Sequence, residues 1–201
     1  MFYPREKDAE LLSLLGLKEK IVCVYAGKLG GIYLKEEVFD FIRVCYDHWK
    51  DNFRFLMLTN ATEAEIASER IRVGLPEEII ISQFVFHKEI PRYLSLGDFA
   101  LNPVKPVPTK RYCTPIKDGE YWAMGLPVVI SPDISEDSAI IEKENIGVVM
   151  NFANHEEMVN AVFKIEGLLK NELGLKKKIR KIATIYRSFA IAEIIYKSIY
   201  E

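Results

Sequence analysis

"IVCVYAGKLGGIYLKEEVFDFIRVCYDHWK", residues 21–50, changes its period halfway. The first six residues are apolar without alternation and rich in β-formers, as in a strand covered on both faces. Glycine follows at 27. From Val38 onward the apolar positions Val38, Ile42, Cys45 and Trp49 fall on one helical stripe. A strand, a glycine-rich turn and an amphipathic helix form the opening of a parallel βαβ unit.

The same order recurs along the chain. FRFLMLT (53–59) precedes ATEAEIASERIRVG (61–74), and IIIS (79–82) precedes HKEIPRYLSLG (87–97). DFALNPV (98–104) leads through a long loop to the helix PIKDGEYWAMG (115–125) and the strand LPVVIS (126–131). SEDSAIIEKEN (135–145), with Ser135 as its expected cap, precedes GVVM (147–150), and DAELLSLL (8–15) is a short helix stopped by Gly16. After residue 150 only helical periods remain. Strict alternation of apolar strands with helices predicts an α/β fold, a doubly wound, Rossmann-like parallel sheet of about six strands. The expected organisation is one domain over 1–201, with the sheet in 20–150 and extra helices in 154–201.

Composition narrows the function classes. A chain of 201 residues with 49% hydrophobic and 28% charged residues has the balance of a globular protein with a sizeable core. The net charge of -2 argues against nucleic acid as a partner, because no global basic excess would neutralise a phosphate backbone. No apolar run approaches the roughly 20 residues needed to span a bilayer. Cys23, Cys45 and Cys113, with His48, His87 and His155, are too scattered for a zinc pattern. Reduced, mostly buried cysteines and the lack of a signal layout at MFYPREKDAE point to a cytoplasmic location.

In doubly wound sheets ligands sit at the carboxyl ends of the strands. The loops after Tyr25, Leu58, Ser82, Asn102 and Ile130 are therefore where a site is expected. GKLGGIYL (27–34) offers Gly27, Gly30 and Gly31 for a tight turn and close backbone approach, with Lys28 as a mobile cation and the next helix pointing its positive end there. It is neither GxGxxG nor GxxxxGK[ST], so a plain turn and an anion site both stand. In QFVFHKEIP (83–91), Phe84 and Phe86 are either core edges, with His87 capping the next helix, or an apolar wall for a nucleobase. NPVKPVPTKRYCTP (102–115) carries four prolines, which stiffen a loop of functional length. Lys117 and Glu120 then share one face at the start of a helix. They form either a solvated ion pair or a clamp, the cation for a diphosphate and the carboxylate for ribose hydroxyls. KKKIRK (176–181) reads as a solvated face, with contact to anionic lipid as the sharper alternative. No Ser–His–Asp spacing supports hydrolase chemistry.

The run from Pro115 to Val129 resembles the nucleotide-binding segment of retaining GT-B glycosyltransferases, Pro-x-Lys-x-x-Glu-Tyr-x-Ala-x-Gly-x-Pro-Val-Val, at every fixed position. YAGKLGG, VFHKEIPRYLSLGDFALNP and IGVVM agree in order, so the resemblance covers roughly 20–165. It implies the C-terminal, donor-binding half of an enzyme that transfers a sugar from UDP-sugar or GDP-sugar to a glycan or glycolipid, as in surface polysaccharide synthesis. It further implies that Glu120 binds the donor ribose, Lys117 lies beside it, Lys28 faces the diphosphate, and the backbone at Phe84 and Val85 reads the base. Gly27, Gly30 and Gly31 shape the first turn, and Tyr112 and Thr114 complete the donor-binding set. Tyr112 stands where relatives often have a glutamate touching the donor sugar, and Gly31 to Leu34 replace a second basic residue. No catalytic residue is assigned, and no metal is expected, since the family neutralises the leaving diphosphate with basic side chains and a helix end. MFYP resembles the linker before the second domain, so the acceptor-holding N-terminal domain lies outside this chain. On that reading this half transfers little by itself, and its last helix lacks its usual dock. A stand-alone nucleotide-sugar binding module and a fragment of a nucleotide-sugar 2-epimerase are the alternatives. A flavodoxin-like regulatory domain is disfavoured because no acidic residue ends the first strand.

Overall fold

Alternate residues of each strand leave the sheet on opposite sides, and both sides are covered. The computed structural model describes residues 1–200. Its strands β1 (Ile21–Ala26), β2 (Phe53–Leu58), β3 (Ile80–Gln83), β4 (Phe99–Asn102), β5 (Val128–Ile130) and β6 (Gly147–Val149) form one sheet in the order β3-β2-β1-β4-β5-β6. Every neighbouring pair is parallel. This is the expected doubly wound α/β architecture, with helices after the last strand.

Cys23 and Tyr25 of β1 and Phe55 and Met57 of β2 pack on one face, against helices α2 (Glu36–Trp49), α3 (Glu63–Arg72) and α7 (His155–Leu169). Val22, Val24, Leu56 and Leu58 pack on the other. That face is covered by α1 (Ala9–Leu14), α4 (Ile90–Leu94), α5 (Ile116–Met124), α6 (Asp137–Glu144) and α8 (Glu172–Arg187). The α2 stripe Val38, Ile42, Cys45 and Trp49 is buried throughout, where each large apolar side chain contributes about 1.5–3 kcal/mol.

Local start signals act as their residue types require. The Asp8 carboxylate accepts the Leu11 N–H at 2.9 Å. Thr62 and Glu65 form a reciprocal capping box at α3. The expected Ser135 cap is corrected. Ser135 sits at φ +50°, and Glu136, the residue before α6, makes no side-chain cap. Ser138 serves instead: its Oγ accepts from Ile134 N at 3.0 Å and donates to Ser131 O at 2.9 Å. The donor needing a partner is the buried Ile134 N–H, and Ser138, the second residue of α6, reaches back four positions to it.

Leu175, Ile179 and Ile182 of α8 close the second core, whereas α9 (Phe189–Tyr200) buries no residue. No helix among the described residues is long and apolar enough to cross a membrane. The chain order jumps between β1 and β4, so the carboxyl edge near these strands is the switch point where a crevice opens.

Candidate functional site

β1 and β2 end side by side, with Ala26 opposite Leu58 and the Gly27 N–H donating to Leu58 O at 2.8 Å. Gly27 has φ +143°, and a Cβ there would lie 2.6 Å from Lys117 Nζ. The positive φ favours glycine here, and any side chain would also have to push the Lys117 ammonium aside. Lys117 is the second residue of α5, and its Nζ lies 3.6 Å from the Tyr33 ring centroid and 4.8 Å from that of Tyr25. Tyr25 donates its hydroxyl proton to Lys28 O at 2.6 Å, leaving its oxygen to accept from Lys117 at 3.4 Å. Burial lowers the Lys117 pKa to about 8, against the raising fields of Asp118 and Glu120. The aromatic faces offset part of the lost hydration.

Glu120, one turn further along α5, has its side chain 20% exposed and meets His87 Nε2 at 3.3 Å. The two charges therefore have different partners rather than each other. Both line a cavity of about 470 Å³ with Gly27, Lys28, Phe84 and Val85. Thr59, Asn60, Phe86 and His87 also line it, with Ala26, Leu58 and Ile90. Phe84 and Phe86 are 65% and 69% exposed and meet edge to face at 5.4 Å, which corrects their reading as core edges. β3 ends at Gln83, so the rings project beyond the sheet, where nothing covers them. His87 does not cap a helix either: the turn it opens has no side-chain cap, and its ring is engaged by Glu120.

Six of the ten residues chosen from the sequence thus share one cavity. Gly30 and Gly31 shape the turn beside it, at φ +79° and +64°, without lining it. Tyr112 is 87% exposed in a separate groove with Pro106, Arg111 and Asp133. Thr114 Oγ1 lies 3.0 Å from Ser135 Oγ. The Ser135 N–H bonds Lys110 O at 2.9 Å, which ties this loop to the start of α6. The helix end beside the cavity is also not the one expected. α2 begins at Glu36 and lines no part of this cavity, whereas α5 lines it through Lys117 and Glu120 of its first turns.

Asp118 escaped the sequence reading although it stands between Lys117 and Glu120. It is fully buried and accepts from Asn102 Nδ2 at 2.8 Å. Burial pushes its carboxyl up to about 7, opposed by Asn102, Arg187 and Lys117. His87, Tyr25 and Tyr33 were likewise missed as partners of the pair.

The C-terminal domain of a glycosyl transferase group 1 family protein (LpcC) from Francisella tularensis superposes with TM-score 0.73 at 14% identity, over 94% of this chain and 96% of that one. WaaG, a glycosyltransferase involved in lipopolysaccharide biosynthesis, gives 0.73 at 12% identity, over 94% of this chain and 50% of that one. Anabaena Alr3699/HepE, in complex with UDP, gives 0.76 at 16% identity, over 95% and 51%. The chain thus spans about half the length of the last two, and these likenesses establish the fold, that of a C-terminal GT-B domain. No curated protein sequence matches it. Residues 20–167 match the family model described as Glycosyl transferases group 1, and the chain belongs to that family.

Proposed function

We propose that the chain is the donor-binding half of a retaining glycosyltransferase that moves a sugar from a nucleotide diphosphate to a glycan or glycolipid acceptor. One observation carries this reading. A cation and a carboxylate on one helix face the same cavity, each held by a partner of its own. A solvated ion pair would bring them together. Held apart, they can serve different parts of one ligand.

Glu120, oriented by His87, accepts hydrogen bonds from the ribose hydroxyls. Lys117, the start of α5 and the exposed Lys28 take the diphosphate and stabilise it as it leaves, so the donor phosphates are neutralised by side chains and a helix end. The exposed Phe84 and Phe86 offer an apolar wall to the base. HepE has been crystallised with UDP and with UDP-glucose, which favours a nucleotide-sugar donor here. The acceptor is held by an N-terminal domain outside this chain, in a cytoplasmic enzyme, and this half transfers little without it.

Calorimetric titration with UDP and GDP tests the reading. Glu120→Ala is expected to weaken binding by about 1–3 kcal/mol, the range for losing a charged hydrogen-bond partner, with unchanged circular dichroism. Equal affinity of the two proteins, or no binding of either nucleotide to the parent, refutes it.

A further inference from the structure

The basic run of α8 does not face solvent as a unit. Lys178 donates to Glu144 O, while Lys176, Lys177 and Arg180 line a groove of about 740 Å³. Across it stand Arg5 and Lys7 of the N-terminal segment, with Glu6 as the acidic lining residue. Lys7 Nζ bonds Asp98 at 2.5 Å, and Asp98 also accepts the Val22 N–H at 2.7 Å. Val22 and Asp98 mark the amino ends of β1 and β4. Lys176 packs against Gly125 at the far end of α5, 3.3 Å from where a Cβ would stand. The groove therefore lies at the sheet edge opposite the Lys117–Glu120 cavity.

Arg5, Lys7, Lys177 and Arg180 line the groove with Glu6, and Lys7 is engaged by Asp98. Gathering like charges in a concavity raises its potential and costs stability unless an anion is taken up. The Arg5 Nε–H is buried with no acceptor, a donor left over after folding. Arg forks with lysine point charges are the chemistry that receives phosphate oxygens. Beside the cations the wall includes Leu173, which is 70% exposed, and the Arg5 guanidinium lies 4.5 Å over the Tyr3 ring. Exposed apolar groups among cations suit an interface with lipid headgroups.

We propose that this groove is a second anion site, built for phosphate groups and separate from the donor cleft. It does not rest on the donor reading. The phosphate can belong to an anionic lipid headgroup or to a free phosphorylated molecule, and two arms of one experiment separate these sources. In the first, the chain is sedimented with phosphatidylcholine vesicles, with and without phosphatidylglycerol. In the second, inorganic pyrophosphate is titrated into the Lys117→Ala chain, in which the other cation-lined cavity is disabled.

The expected result is binding in at least one arm, reduced about fivefold by Lys177→Ala and about as much again by adding Arg5→Ala, the worth of one cation at an anionic surface. Lys181→Ala, which removes the same charge from the same helix outside the groove, should leave it nearly unchanged. Vesicle binding alone assigns a headgroup, and pyrophosphate binding alone assigns a free phosphate. Absence of binding in both arms overturns the proposal, as does equal loss in Lys181→Ala and Lys177→Ala. UDP affinity unaltered in the groove variants keeps this outcome distinct from that of the donor cleft. Lys177 is exposed, so its single variant remains informative even if Arg5→Ala disturbs folding.

Discussion

Lys117 is steadied by two tyrosine faces and a hydroxyl rather than by a carboxylate. That environment makes its charge easy to lose, with a pKa of about 8. A bound diphosphate would favour the protonated form and raise the pKa, so affinity is full below pH 8 and declines as pH rises through the window above it. The expected decline is up to about tenfold per pH unit, one linked proton, and UDP titration at several pH values measures it. Lys117→Met should bind weakly with no such slope, and a parent slope that persists in this variant would assign the proton elsewhere. Lys117 and Glu120 were legible as a pair because they share a motif and a helix face. Their partners were not. Tyr25 lies 92 positions from Lys117 and His87 lies 33 from Glu120, and no local spacing announces contacts of that range.

At the scale of elements, the junction of α5, α6 and α8 depends on Arg187. This last residue of α8 donates to the fully buried Asp137 at the start of α6 and lies 5.5 Å over the Trp122 ring. Its stem packs 3.6 Å from where Gly119 would carry a Cβ, and its field lowers the pKa of Asp118. Arg187→Met leaves the buried Asp137 without its cation and Asp118 with the field of Lys117 alone, and is expected to cost about 3–5 kcal/mol in urea denaturation. The double variant Arg187→Met/Asp137→Asn should recover more than half of that. The pH dependence has a definite sign. A carboxyl whose folded pKa is raised from 3.8 to about 7 opposes folding increasingly as pH climbs between those values. The loss in Arg187→Met should therefore be larger at pH 8 than at pH 5. Helix and strand existence was readable at this scale from period and punctuation. The Ser135 cap failed because serine at a helix start is a propensity, and the buried Ile134 N–H chose Ser138 instead.

For the whole molecule, the sheet and its two cores account for the buried apolar residues, and α9 contributes none. Deleting residues 189–200 should alter unfolding stability by no more than about 0.5 kcal/mol, the usual scale for surface changes, as read by thermal melting; a large drop would show that α9 braces the fold. The amino-acid order alone determined the alternation of six strands with helices, the apolar stripe of α2, and the placing of a lysine and a glutamate on one helix at the carboxyl edge. These are short-range properties, written in spacings of two to four residues and in capping and turn chemistry. Only the tertiary structure decided the β1–β4 neighbours, the tyrosine cage, the divided basic run and the buried Asp–Arg–Asp junction. Each depends on segments far apart in the chain meeting, and that meeting is set by strand order and close packing, which no local period encodes.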